Sequence, residues 1–219
     1  LDFIKIPSGE ITNLPFLRHI KKFDDNIILS TGMSNINEIN DALKILKKKD
    51  RKIILLHCNT EYPTPLEDIN LKAMLTLKKR FNLEVGYSDH SLGTQVPIIA
   101  VALGAKVIEK HFTISKKMVG PDHVASLNPK ELISMVKLIR SPETILGKSE
   151  KLVSTSEKKN ILVARKSLFA AQHIKIGEKF SLQNLVCLRP GSGISPMQID
   201  KIYGQKAKKN FSKGKLIKI

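Results

Sequence analysis

Two histidines, His90 and His111, each follow a short apolar run and stand among hydroxyls and carboxylates. Imidazoles arriving from neighbouring strands can converge on one divalent cation and leave open positions for a substrate oxygen. Either ring alone would serve equally well as a hydrogen-bonded structural residue. The same pattern recurs along the first two thirds of the chain. Lys5, Ser8 and Glu10 follow the first apolar run, and Ser30, Thr31 and Gly32 the second. His57, Asn59, Thr60, Glu61 and Tyr62 follow the third, Ser88, Asp89 and His90 the fourth, and Glu109, Lys110 and His111 the fifth, with Gly120-Pro-Asp122-His123 downstream. Glu10 and Asp122 are candidates for proton transfer or hydroxyl contacts, with capping or surface charge as the plain alternative. Lys5, aimed inward at a strand end, could hold a phosphate or carboxylate, or act as a Schiff-base nucleophile. Helix capping accounts for one or two such clusters. Five in succession mark a functional rim, because a βα barrel builds its site at the C-terminal ends of its strands.

The elements that must carry these residues are legible as alternating strands and amphipathic helices, the mark of repeated βα units on a parallel sheet. The strand runs are Phe3 to Ile6, Asn26 to Leu29, Lys52 to Leu56, Glu84 to Tyr87 and Lys106 to Ile108. Ile36, Ile39, Leu43 and Leu46 recur at helical spacing behind Asn35, and Glu38 completes a capping box. Asn128, Pro129 and Glu131 supply an N-cap, an N1 proline and an N3 carboxylate to a helix ending near Arg140. From Ser141 to Lys159 the composition shifts to Ser, Thr, Lys and Glu and the βα rhythm stops. We therefore expect a first domain over residues 1–147, a linker over 148–162 and a second domain over 163–219. In that second domain, residues 173–180 (HIKIGEKF) are echoed by residues 210–217 (NFSKGKLI). The repeat predicts a small pseudo-symmetric β-rich fold, near the lower size limit for independent folding.

Composition narrows the partners. The chain has 219 residues, 42% hydrophobic and 26% charged, within the ordinary globular range. Its formal charge is +17, but the cations are mostly dispersed Lys, with no Trp and three Tyr. Nucleic-acid binders present basic stripes with Arg or interleaved aromatics, so that class is disfavoured. A diffuse positive field suits anionic metabolites better. Cys58 and Cys187 lie too far apart in sequence for a thiolate metal motif and form no disulfide framework, which fits a reducing cytoplasm. No apolar run is long enough for a membrane span. The chain opens without Met, inside a strand pattern, which reads as a fragment.

Seven motifs in order, Lys5-Ile-Pro-Ser-Gly-Glu10, Leu29-Ser-Thr-Gly-Met33, His57-Cys-Asn-Thr-Glu-Tyr-Pro63, Gly86-Tyr-Ser-Asp-His90, Glu109-Lys-His-Phe112, Gly120-Pro-Asp122 and Arg189-Pro-Gly191, resemble the N-acetylneuraminate synthase family, including its legionaminic acid synthase relatives. The resemblance covers essentially the whole chain. It implies the C-terminal portion, about five βα units, of a TIM-type (β/α)8 barrel, followed by a small antifreeze-like (SAF) domain. It also implies condensation of phosphoenolpyruvate with the open-chain aldehyde of N-acetylmannosamine or a related sugar, giving a nonulosonic acid and phosphate by carbon–oxygen cleavage. On this pattern His90 and His111 hold a divalent metal, Mn2+ first and Mg2+ or Co2+ as alternatives. Lys5, Ser8, Ser30, Thr60 and Ser88 contact phosphoenolpyruvate, with Glu10 beside them as a proton-handling group. Tyr62 and Asp122 contact the sugar, and Arg189 reaches the site of the other subunit in a domain-swapped homodimer. Two departures stand out. Thr60 occupies a position where family members often have Asn, and the chain begins at what resembles the fourth strand of eight. The absent strands would carry an acidic sugar-binding group and a further Lys, so the polypeptide alone is expected to be inactive. A Schiff-base aldolase using Lys5 and a non-catalytic carbohydrate-binding remnant are the alternatives.

Overall fold

Five strands form one parallel sheet in the order β1 to β5: β1 Phe3–Ile6, β2 Asn26–Ser30, β3 Ile53–Cys58, β4 Glu84–Asp89 and β5 Ile108–Lys110. The computed structural model describes residues 2–219. Each strand neighbours its successor in sequence, and the helices α1 Leu14–Ile20, α2 Ile36–Leu46, α3 Lys72–Phe81 and α4 Gln95–Ala102 fill the connections. Helices α5 Pro129–Arg140 and α6 Pro142–Leu146 follow β5. Strand order matching chain order is what unbroken βα repetition dictates, since each crossover turns with the same hand.

Side-chain alternation divides the sheet into two faces. Ile6, Ile27, Leu29, Ile53, Leu55, Val85 and Tyr87 belong to the core that also takes Leu17, Ile39, Leu43, Met74 and Leu77 from α1 to α3. The intervening residues face the other way. They include Lys5, Ser30, Cys58, Ser88 and Glu109, and the register pairs Ser30 with Leu56, Cys58 with Ser88, and Ser88 with Glu109. Gly86 lies on this second face. A Cβ there would fall 2.6 Å from Leu56 Cδ2 and 2.3 Å from the Val107 carbonyl oxygen, so only glycine fits.

Both expected capping boxes form. The Asn35 side chain accepts from the backbone of Glu38 while Glu38 reaches back to Asn35, and Asn128 and Glu131 do the same at α5, which ends at Arg140. Four of the five strands run past their apolar stretch: β3 continues to Cys58 and β4 to Asp89. Backbone pairing continues where the inward side chains have already become polar, and hydropathy alone stops too early.

The chain divides into two compact units, Leu1–Gly147 and Lys148–Ile219. In the second, β6 Ser167–Ala170 and β7 Leu185–Leu188 pair antiparallel, and α8 is Ile199–Ile202. Residues 148–162 are not a plain linker: α7 spans Thr155–Ala164, capped by the reciprocal Ser154–Glu157 box. The signal was present in the sequence as Ser-x-x-Glu, and the Ser- and Lys-rich composition obscured it. The echoed motifs meet each other. Ile174 and Phe211 exchange two backbone hydrogen bonds of 2.8 Å, and Ile174, Phe180, Phe211 and Ile217 all enter one core. Gly177 and Gly214 occupy matching turn positions with φ of 82° and 78°.

Candidate functional site

The loops that follow β1, β2 and β3 meet at Gly32. A side chain there would lie 2.9 Å from Cys58 Sγ, 2.9 Å from Thr60 Cγ2 and 3.1 Å from Ser8 Oγ, which is why the Ser-Thr-Gly turn ends in glycine. Ser30, at the end of β2, is buried, and among the described residues its hydroxyl has no hydrogen-bond partner. Burial pushes the Cys58 thiol up, with the Gly32 and Thr31 backbone, the neighbouring Ser30 hydroxyl and Lys5 pulling the other way, so it stays protonated at neutral pH.

Lys5 and Glu109 come from the first and fifth strands, yet Lys5 Nζ is 3.1 Å from Glu109 Oε1. Side chains from opposite ends of the strand order meet because the sheet curls, bringing its inner face into a bowl. Ser88 Oγ donates to the same carboxylate oxygen at 2.6 Å. Sequence reasoning placed Glu109 on the rim but gave it no specific role. It sits at the centre of this cluster, and the available signal was its position two residues before His111, on the same inward face.

His90 and His111 lie at the lip of the bowl with ring centroids 5.2 Å apart and planes nearly perpendicular. His90 Nδ1 is 2.5 Å from the Asn59 carbonyl oxygen, which can only accept, so Nδ1 carries the proton. Burial lowers the His90 pKa, the Asn59 carbonyl opposes that shift, and nearby His111 lowers it further. The ring is therefore neutral at pH 7. Nε2, 3.4 Å from Ser88 Oγ, keeps its lone pair because Ser88 gives its proton to Glu109. A free lone pair with the other nitrogen held by a carbonyl is the arrangement a metal-ligating imidazole needs. Among the described residues no group of three or more His, Cys, Asp or Glu is placed to hold a metal. The two imidazoles fit a cation that takes its remaining ligands from substrate, water or elsewhere.

Tyr62 stacks on His90 with centroids 4.0 Å apart and lies 5.1 Å from His111. Burial raises its phenol pKa, with Cys58, Asp122 and Glu109 adding to the shift. Asp122 Oδ2 is 3.8 Å from His111 Nδ1. The structure thus gathers Lys5, Ser88, Glu109, His90, His111, Tyr62 and Asp122 in one neighbourhood, with Ser8, Ser30 and Thr60 on the adjoining strand ends. Glu10 stands apart from these contacts: its Oε2 accepts from Asn13 Nδ2 at 2.6 Å, bracing the residue that caps α1. His57 faces the opposite side, its Nε2 2.9 Å from the Ile69 carbonyl oxygen and its pKa lowered by burial. Arg189 belongs to the second unit, where its Nε donates to the Ala164 carbonyl at 3.0 Å.

Family models match this architecture in two pieces, the NeuB family over residues 1–151 and the SAF domain over residues 165–219. The chain belongs to the NeuB family. It is 52% identical to the N,N'-diacetyllegionaminic acid synthase of Campylobacter jejuni, over 100% of this chain and 66% of that protein. Against the Legionella pneumophila N,N'-diacetyllegionaminic acid synthase it is 44% identical, over 96% of this chain and 61% of that one. The solved N-acetylneuraminic acid synthetase of Leptospira borgpetersenii superimposes with a TM-score of 0.67 at 39% identity, covering 74% of this chain and 56% of that one. The five parallel strands are thus a half-barrel of the NeuB type, followed by a small β domain of the SAF type. The chain spans a little under two thirds of the length of the curated NeuB relatives it matches. Among the described residues no helix is long and apolar enough to cross a membrane.

Proposed function

We propose that this NeuB chain serves the condensation of phosphoenolpyruvate with an open-chain acetamido sugar, giving a nonulosonic acid and phosphate. The observation that carries this reading is the meeting of two imidazoles, one with a free Nε2 lone pair, above a bowl containing an ammonium, a carboxylate and several hydroxyls. Two relatives named as N,N'-diacetyllegionaminic acid synthases favour a diacetamido acceptor over N-acetylmannosamine.

In the reaction, carbon 3 of the enol phosphate attacks the aldehyde carbon and water adds at carbon 2. The resulting tetrahedral adduct then releases phosphate by cleavage of its carbon–oxygen bond. Lys5, with Ser8, Ser30, Thr60 and Ser88, binds the phosphate and carboxylate, since charge-assisted and hydroxyl hydrogen bonds suit a ligand with two anionic groups. Glu109 holds Lys5 and Ser88 in place until the ligand arrives. Tyr62 and Asp122 orient the sugar beside the imidazoles, and Glu10 handles a proton if it leaves Asn13. His90 and His111 would hold a divalent cation, Mn2+ by preference, and such an ion would supply Lewis-acid polarisation of a substrate oxygen. Arg189 completes the site of a second copy in a domain-swapped dimer. The two free cysteines suit a reducing cytoplasm.

A Schiff-base aldolase needs an uncharged Lys in apolar surroundings, whereas Lys5 faces a carboxylate, which favours the synthase. Strands β1 and β5 are the edges of the described sheet, so the chain by itself is expected not to turn over. The deciding experiment joins this chain to the N-terminal third of a NeuB relative and measures phosphate release from phosphoenolpyruvate plus the diacetamido sugar. Release that disappears with chelator and returns with Mn2+ supports the reading. Chelator-resistant turnover with borohydride trapping at Lys5 would replace it with the aldolase.

A further inference from the structure

Between the two histidines of the site runs a second, hidden set of contacts on the opposite face of the sheet. Asp89 and Lys110 are register partners at the ends of β4 and β5, and their side chains, 0% and 3% exposed, pair at 2.7 Å. The other carboxylate oxygen of Asp89 accepts from Ser91 twice, from its backbone N at 2.9 Å and its Oγ at 2.7 Å. Lys110 Nζ also donates to the Ser91 carbonyl. His90 is therefore flanked by two residues that are both tied to Lys110. His111 follows Lys110 directly, and its own carbonyl is held by the Leu127 N–H at 2.9 Å.

A buried ion pair contributes little net stability, because desolvation offsets the attraction, and apolar replacements are often tolerated. What this one supplies is geometry. It joins two strand ends at the point where each releases a histidine, and it saturates both carboxylate oxygens, so neither strand end can slide against the other. Resting on the reading of the site above, we propose that the Asp89–Lys110–Ser91 clamp is a positioning element that fixes His90 and His111 relative to one another for a shared cation. None of the three touches the bowl.

The test uses the full chain, metal-free and then titrated with Mn2+. Ring 15N spectra report each imidazole's tautomer. The clamp predicts a single Nδ1–H tautomer for His90 in the parent chain and a mixture in Lys110→Met, with Mn2+ affinity about tenfold weaker, as loss of outer-shell support typically brings. Lys110→Arg should restore both. Ile39→Val, which thins the core beneath α2, should change neither. If Lys110→Met fails to fold, the paired change Asp89→Leu with Lys110→Met removes both charges and carries the same expectations. Unaltered His90 tautomer and affinity in these clamp variants, or equal changes in Ile39→Val, would overturn the proposal. Parent protein that binds no Mn2+ while the tautomers respond as expected would sink the metal reading and leave the clamp standing.

Discussion

The two units treat buried polar groups in opposite ways. In the second, Ser167 and Asn184 are buried and fully engaged. Ser167 Oγ donates to the Pro190 carbonyl and accepts from the Gly193 N–H, while Asn184 bonds to Lys179, Glu178 and the Ser181 backbone. These groups close turns, and what the fold needs from them is already made. In the half-barrel the buried polar residues crowd the strand ends, and part of their capacity is left open: among the described residues the Ser30 hydroxyl has no partner, and His90 Nε2 keeps its lone pair. Unspent hydrogen-bonding capacity under burial is costly, so where a fold keeps it near charged neighbours, a ligand is the natural partner. The contrast is one of emphasis: the Tyr203 hydroxyl in the second unit, and the Tyr87 hydroxyl and Arg51 Nε away from the rim of the first, are also buried without a partner among the described residues, each on a side chain otherwise engaged elsewhere.

If that contrast is right, the units should respond differently to substitution. The largest effect is expected from Phe211→Ala, which empties the centre of the second unit and should destabilise it by about 3–5 kcal/mol. Unfolding followed by a probe in that unit checks this, and Mn2+ binding by the half-barrel should be unchanged. His90→Ala should do the reverse, lowering Mn2+ affinity at least as much as the roughly 10–100-fold loss typical of an outer-shell change while moving the unfolding midpoint little. Lys5→Met should weaken phosphoenolpyruvate binding to the completed barrel about 10–100-fold, the worth of a hydrogen bond to a charged group. Calorimetric titration measures it, and an unchanged affinity would remove Lys5 from the anion site.

Much of this was readable beforehand, for definite reasons. The capping boxes at Asn35 and Asn128 are local, so four residues suffice to announce them. The echo between residues 173–180 and 210–217 was visible as spacing, but that Ile174 pairs with Phe211 depends on chain reversal between positions 174 and 211. The rim was visible because polarity begins where strands end. Which rim residues point inward was not, because alternation has to be counted from a strand's true end, and hydropathy placed most ends short. Hence Glu109 went without a specific role, and Asp89 and Lys110 counted as rim residues although they face the helices. The helix at Thr155–Ala164 was missed for another reason: composition over twenty residues outweighed a capping signal of four.

Acid should expose the site's burial. His57 and His90 both have lowered pKa values, mainly through desolvation. An imidazole that resists protonation when folded binds a proton more readily when unfolded. Stability is then fully present above the unfolded value of about 6.5 and falls as pH drops toward the lowered folded value. Urea unfolding between pH 7.5 and 5 should show this decline, reduced in His57→Gln. A flat profile would mean the imidazoles are hydrated.

The smallest change in stability, and the sharpest test of the contrast, is expected from Ser30→Ala. Removing a hydrogen-bonded buried hydroxyl ordinarily costs about 1 kcal/mol. Among the described residues Ser30 has only the Cys58 thiol beside it, a weak partner, so its loss mainly removes a desolvation penalty, and the unfolding free energy should stay within about 0.5 kcal/mol or rise. Ser167→Ala, which strips two made bonds from the second unit, should cost about 1–3 kcal/mol. On the proposed reading, which gives this hydroxyl to phosphoenolpyruvate, the completed barrel carrying Ser30→Ala should nonetheless bind that ligand more weakly. Should Ser30→Ala destabilise the chain as much as Ser167→Ala, with ligand affinity intact, the Ser30 hydroxyl would be structural and the difference between the two units would disappear.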